Sequence, residues 1–310
     1  MKLVSIVIPV YNESINIPVV LKAVQNVMSA VPYDYEITFV DDGSKDNTLQ
    51  TLKKLSAENA FVNFLSFSRN FGHQYALKAG IDHAKGDCVI SMDGDMQHPP
   101  ELIPEMLKAW EDGFDVVYTV RKEDKNLSYF KRKSSNIFYT LLNRLADIEM
   151  EQGTADFRLL NKNVAAIIRG LSEYDLFFRG LVKWMGFSQM AIEYDPSERL
   201  SGNSKYTLKK MMRFAMQGIT SFSTRPLYAA AYLGFIISLL SVLYIPYALW
   251  SHYFGHTISG WTSIIVTIAF FGGLQLTILG IIGLYLGKLF MQSKQRPLYI
   301  VKEKHHHEKP

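Results

Sequence analysis

The chain has 310 residues, 48% hydrophobic and 20% charged, with a net charge of +4. Its mean hydropathy of +0.03 averages a soluble part of roughly 200 residues, enough for a full core in one domain, with an apolar part that begins near Leu227. A single cysteine, Cys88, excludes an internal disulfide, and basic residues clustered beside apolar segments point to anionic lipid or phosphate rather than nucleic acid.

Leu3 to Val10 is apolar and β-branched. It reads as a strand buried on both faces, not as a secretion signal. Tyr11-Asn12-Glu13-Ser14 follows as a loop, with Asn12 or Ser14 placed to cap a helix over Ile17 to Val27. A second strand, Tyr35 to Val40, ends in Asp41-Asp42-Gly43-Ser44. Asp46 or Asn47 caps the next helix, which runs to about Leu55. A third strand covers Val62 to Phe67, and a helix spans about His73 to Ala84. The fourth strand is Cys88-Val89-Ile90, where Cys88 serves packing rather than reactivity. A helix over about Pro100 to Trp110 and a fifth strand over Asp115 to Val120 complete the alternation. Short links between alternating strands and helices define an α/β fold: a mainly parallel sheet with helices on both sides. Ligands in such sheets bind outside the carboxyl ends of the strands. The polar strand ends Pro9 to Glu13, Asp41 to Ser44 and Asp93 to Gln97 then face one crevice. No G-x-G-x-x-G follows the first strand and no Walker lysine loop occurs, so a nucleotide is not held in those ways.

The chemistry centres on Ser91 to Pro100, SMDGDMQHPP. In an extended chain residues i and i+2 point to one side, so Asp93 and Asp95 converge and Gln97 adds a carbonyl oxygen. Gly94 lets the backbone approach a ligand closely. A hard divalent cation that also binds phosphate oxygens wants one or two carboxylates of this kind.

Ser128 to Ala146 has an apolar face with Lys131, Arg132, Lys133 and Arg144 beside it. It suits a surface helix and a membrane-contacting one equally. Gly153 to Arg158 reads as a loop entering a short strand. Lys205 to Phe222 is amphipathic and basic, an interfacial helix. Leu227 to Trp250, about 24 residues without a charge, is ~36 Å long at ~1.5 Å per residue and spans a bilayer core. Trp261 to Leu286 is a second such run. The loop between them lacks Lys and Arg, whereas Arg213, Arg225, Lys288, Lys294 and Arg296 flank the pair. By the positive-inside rule both termini and the first part face the cytoplasm. Glycines 272, 273, 280, 283 and 287 allow close helix contacts, within the chain or between subunits. The expected partition is 1–204 for the catalytic part, 205–226 interfacial, 227–290 a transmembrane hairpin and 291–310 a cytoplasmic tail. The tail, with His305, His306 and His307, reads as disordered.

VSIVIPVYNE, VDDGSKDNT, MDGDMQHPP and ERLSGNSKYTLKK together resemble glycosyltransferase family 2 with a GT-A fold. The nearest group is the polyprenyl-phosphate glycosyltransferases, which include dolichol-phosphate mannose synthase and the bactoprenol glucosyltransferases. The resemblance covers nearly the whole chain. The Q-x-x-R-W motif of processive synthases is absent, which favours a single transfer. The resemblance implies that Pro9, Tyr11, Glu13 and Asp41 hold the nucleoside, with Asp42 and Ser44 beside them. It implies that Asp93 approaches the nucleotide and metal, and that Asp95 and Gln97 ligate Mg²⁺ or Mn²⁺ on the diphosphate. It places Arg121, Arg132 and Ser135 at the lipid phosphate, with Lys131 or Lys133 as alternatives to Arg132. Arg199 and Lys205 contact the diphosphate or close over it, and Asp156 stands near the acceptor.

The implied reaction moves one hexose from a nucleotide sugar, UDP-glucose by the closest resemblance, to undecaprenyl phosphate with inversion at C1. A homo-oligomer, with a tetramer among its forms, is also implied. GDP-mannose as donor, a diacylglycerol lipid as acceptor, and a non-catalytic nucleotide-sugar-binding membrane module are the other readings. A channel does not fit, because neither span carries an internal charge.

Overall fold

The computed structural model describes residues 1–122, 143, 151, 153–195, 218–255 and 260–307. The alternation in the first 121 residues is present: β1 (Leu3–Val10), α1 (Asn16–Met28), β2 (Asp34–Asp41), α2 (Thr48–Glu58), β3 (Val62–Phe67), α3 (His73–His83), β4 (Cys88–Ser91), α4 (Ile103–Glu111) and β5 (Val116–Arg121). A 3₁₀ turn, Pro100–Leu102, leads into α4. Then come β6 (Thr154–Asn161), α5 (Lys162–Gly170), α6 (Phe178–Trp184), β7 (Gln189–Tyr194), α7 (Arg225–Tyr253), α8 (Trp261–Ser293) and β8 (Val301–His305). The expected caps on α1 do not form: Ile15 is its N-cap, without a side-chain bond. At α2 the Asp46 carboxylate accepts the Thr48 N–H at 3.0 Å.

The sheet order is β7-β5-β6-β4-β1-β2-β3-β8. β3, β2, β1 and β4 run parallel, and all but the first one or two residues of β1 and β2 are buried, with β3 and β4 buried along their length, as strands covered on both faces require. β5 is not beside β4, because β6 lies between them, antiparallel to both. The register pairs Ser91 with Arg158. Asp156, two residues back along β6 from Arg158, then lies beside the loop after β4, with His73 Nε2 3.7 Å from it and 3.4 Å from Asp93. A strand far away in sequence thus carries its acid to the mouth of β4.

Two cores fill the faces of the sheet. At Gly80 of α3 a Cβ would lie 2.0 Å from Val7 Cγ1, so the helix rides directly on β1. Cys88 is buried, and burial raises its thiol pKa, consistent with a packing role.

α7 and α8 are long and apolar enough to cross a membrane, over Arg225–Ser251 and Ser263–Ser293, and they are almost wholly exposed. Among the described residues, a Cβ at any of the five α8 glycines would meet nothing within 4 Å.

The tail expected to be disordered is ordered over residues 301–305. It forms β8, antiparallel on β3 with Phe64 opposite His305 and Leu65 opposite Lys304. Lys53 pairs with Glu303 at 2.5 Å. Tyr299 stacks on Phe67 at 5.2 Å and donates its hydroxyl to Asp82 at 2.8 Å. A lysine-rich segment is a suitable cover for a sheet edge.

Candidate active site

The loops after β1 and β2 are stitched together. The Asp42 N–H donates to the Val10 carbonyl at 3.0 Å. The Asn12 N–H donates to Ser44 Oγ at 2.8 Å, and Asn12 Oδ1 accepts the Lys45 N–H at 2.8 Å. The Glu13 N–H donates to Thr48 Oγ1 at 2.9 Å. Asn12 has φ 56° and Met96 φ 61°. Left-handed backbone at non-glycine residues is uncommon and marks a loop held by its surroundings.

These loops and the one after β4 enclose a crevice of about 190 Å³, lined by Pro9, Val10, Tyr11, Glu13, Asp42, His73, Ala76, Asp93, Gly94 and Asp95. Pro9, Tyr11, Glu13, Asp93 and Asp95 therefore meet as expected, by a different route. The chain is not extended from Asp93 to Gln97; it turns, with Met96 left-handed. The Gln97 N–H donates to Asp95 Oδ1 at 3.1 Å, while Gln97 Nε2 is buried without a partner among the described residues. Gly94 lines the crevice and also packs on β1: a Cβ there would lie 3.0 Å from Val10 Cγ1.

Asp41 is buried. Its carboxylate accepts the Ser44 N–H at 2.9 Å and the Ser66 hydroxyl at 2.7 Å. Asp42 lines the crevice instead and accepts N–H groups from Phe71 and Gly72 at 2.7 and 2.9 Å. Arg121 stands exposed at the end of β5, its N–H bonded to the Gly153 carbonyl at 2.9 Å. Arg132, Ser135, Arg199 and Lys205 lie outside the described residues, as do Lys131, Lys133 and most of both amphipathic stretches.

Three further residues join the site: His98, which lies within SMDGDMQHPP, and His73 and Arg179, which lie in no motif singled out above. His98 is buried and stacks on Phe157 at 5.4 Å. Its Nδ1 accepts the Asp93 N–H at 3.0 Å, which leaves the proton on Nε2, 3.6 Å from Asp93 Oδ2. His73 Nε2 lies 3.4 Å from Asp93 Oδ1 and 3.7 Å from Asp156 Oδ2. Burial would lower the His73 pKa, but the hydrogen bond to Asp156 and the Asp93 charge prevail and raise it to about 9. Asp156 is gripped at two points by Arg179, each bond 3.0 Å, and touched by Arg158 at 3.3 Å. Burial would raise the Asp156 pKa; Arg179, His73 and Arg158 outweigh it and hold the carboxyl well below its usual range.

Four carboxylates and one imidazole line the crevice. Burial raises the Glu13 pKa, and the nearby Asp95 charge adds to the rise. Asp93 Oδ1 is buried and, among the described residues, has no hydrogen-bond partner, its charged neighbour being His73 Nε2 at 3.4 Å. Excess negative charge of this kind calls for a cation before an anionic ligand enters. Among the described residues no group of three or more His, Cys, Asp and Glu is arranged to hold a metal by itself.

A mainly parallel sheet with an antiparallel strand set into it and a charged crevice at its carboxyl end is the GT-A architecture of nucleotide-sugar transferases. Residues 5–168 match the model of glycosyl transferase family 2. An uncharacterized glycosyltransferase, YkcC, of Bacillus subtilis is 44% identical over 96% of this chain and 93% of its own length. The SfII prophage-derived bactoprenol glucosyl transferase of Shigella flexneri is 40% identical over 97% of this chain and 98% of its own. Among solved structures, glucosyl-3-phosphoglycerate synthase from Mycobacterium tuberculosis matches at 19% identity and a TM-score of 0.46, over 71% of this chain and 78% of that one. The chain belongs to glycosyltransferase family 2 and is a glycosyltransferase.

Proposed function

We propose that this chain transfers one hexose from a nucleotide sugar, UDP-glucose first, to a polyprenyl phosphate at the cytoplasmic face of the membrane, with inversion at C1. The observation that carries the reading is the crevice in which Asp93 and Asp95 face Pro9, Tyr11 and Glu13. The near full-length match to a protein named for bactoprenol glucosyl transfer supports the lipid acceptor, since the match includes the two apolar helices.

In this reading Pro9, Tyr11 and Glu13 hold the nucleoside, with Asp41 shaping the loop from behind. Asp93, Asp95 and Gln97 would hold Mg²⁺ or Mn²⁺, which would supply the positive charge that a departing diphosphate needs. Arg121 faces the incoming lipid phosphate, joined there by Arg132 and Ser135, while Arg199 and Lys205 act on the diphosphate. A phosphate monoester with a second pKa near ~6 is largely ionised at neutral pH and attacks without a strong base. Asp156, held ionised, is a poor proton acceptor, so its part is to orient. The catalytic domain, residues 1–204, meets the membrane through 205–226. The hairpin 227–290 crosses it, and the segment after it returns to the cytoplasmic side.

The test uses purified full-length protein with Mg²⁺ or Mn²⁺, undecaprenyl phosphate and each of several nucleotide sugars, including GDP-mannose. Mass spectrometry should detect a hexose-bearing lipid phosphate that disappears with excess chelator. Folded protein that yields no such lipid from any donor overturns the reading.

A further inference from the structure

Arg179 opens the first turn of α6 and carries no assigned role. Its Nε donates to Asp156 Oδ1 and its Nη2 to Asp156 Oδ2, both at 3.0 Å. A two-point guanidinium–carboxylate fork fixes the rotation of the carboxylate as well as its charge. The orientation it imposes leaves Asp156 Oδ2 facing His73 Nε2 at 3.7 Å, and the same nitrogen lies 3.4 Å from Asp93 Oδ1. Asp93 has a separate anchor in His98, which accepts its N–H at 3.0 Å. Beyond Arg179 lies a hollow of about 20 Å³, bordered also by Tyr118, Glu151 and Lys183. That is room for a water and not for a sugar or phosphate.

Arg179 is itself held from two sides. The Phe178 N–H donates to Gln74 Oε1 of α3 at 3.0 Å. The segment before α6 is tied to the end of α8. Gln292 donates to the Ser172 carbonyl at 2.9 Å and accepts the Tyr174 N–H at 2.7 Å, and Lys288 pairs with Asp175 at 2.5 Å. The base of an apolar helix thus fixes the segment from which Arg179 reaches the crevice.

We infer that Arg179 is a positioning residue for the transfer step, acting through Asp156 to hold the His73 side of the crevice, in place before the donor arrives. The inference rests on the transferase reading above. Because Asp93 has its own anchor, loss of Arg179 acts on turnover and not on donor binding.

In the full-length protein Arg179→Gln should lower kcat by about 10²-fold, the scale of a small misplacement at a reacting centre. The affinity for UDP with Mn²⁺, read by titration calorimetry, should stay within about threefold. Arg179→Lys keeps the charge but loses the fork, and its kcat should fall between the two. In an Asp156→Asn background Arg179→Gln should cost no more than about threefold further, since coupled residues are not additive. A kcat within about threefold of the parent, a matching loss of UDP affinity, or additive losses in the double variant each overturn the inference. If Arg179→Gln does not fold, Arg179→Lys decides: lowered kcat with donor affinity kept supports the role, and unchanged kcat overturns it. A parent enzyme that transfers nothing to any lipid phosphate sinks the transferase reading itself.

Discussion

Asp156 and His73 give the site a defined pH window. A carboxyl whose folded pKa is depressed contributes stability in full above its unfolded value of ~3.9, and loses it as pH falls through the folded value. An imidazole raised to about 9 contributes in full below ~6.5 and loses its contribution as pH rises through the folded value. The metal-free protein should therefore melt highest between these limits. Asp156→Asn should flatten the acid limb of the melting profile and cost roughly 3 kcal/mol at neutral pH, because Arg158 and Arg179 lose their partner. His73→Gln should flatten the alkaline limb. Profiles parallel to the parent's would contradict the network. Asp95→Ala tests the other side of the crevice: turnover should fall at least ~10²-fold with melting little changed. Pro9, Tyr11, Glu13, Asp93 and Asp95 were legible because each ends a recognisable strand. His73 and Arg179 were not, because their meaning lies in partners distant in the chain: Asp93 and Asp156 for His73, Asp156 for Arg179. His98 sits in the acidic motif itself, but its burial against Phe157 is set by a distant strand.

At the scale of elements, α3 depends on one missing side chain. On an exposed helix Gly→Ala stabilises by up to ~1 kcal/mol. At Gly80 the added methyl would lie 2.0 Å from Val7 Cγ1, and overpacking costs about 1–3 kcal/mol. The sign should therefore reverse. Gly80→Ala should lower the melting temperature, and Val7→Ala added to it should recover part of the loss. A more stable Gly80→Ala would mean that α3 does not ride on β1 as described. The first five strands and four helices were legible from apolar runs and turn residues alone. The place of β6 was not. Its six central residues are buried, but nothing local states which strand it joins or in which direction. β8 was illegible for a different reason: Val-Lys-Glu-Lys-His has no apolar alternation, and only the open edge of β3 makes it a strand.

For the whole molecule, β8 constrains topology more firmly than the charge pattern does. The chain leaves the catalytic sheet, runs through α7 and α8, and returns to pair with β3. If those helices cross a bilayer, they cross it an even number of times, and the segment after α8 lies on the side of the crevice. Tyr253, 85% exposed, is at the far end of α7. Single cysteines at Lys45, Lys304 and Tyr253 separate the cases, since the native Cys88 is buried and should not react. In sealed vesicles of known orientation, a membrane-impermeant maleimide should label Lys45→Cys and Lys304→Cys from the same side and Tyr253→Cys from the other. Labelling of Lys45→Cys and Lys304→Cys from opposite sides is incompatible with a strand shared between the tail and the catalytic sheet. Labelling of all three from one side would mean that α7 and α8 lie on the membrane without crossing it. The lipid acceptor would then have to reach the crevice by another path, because the ties from Lys288 and Gln292 to the segment before Arg179 would no longer seat the crevice at the mouth of a spanning hairpin.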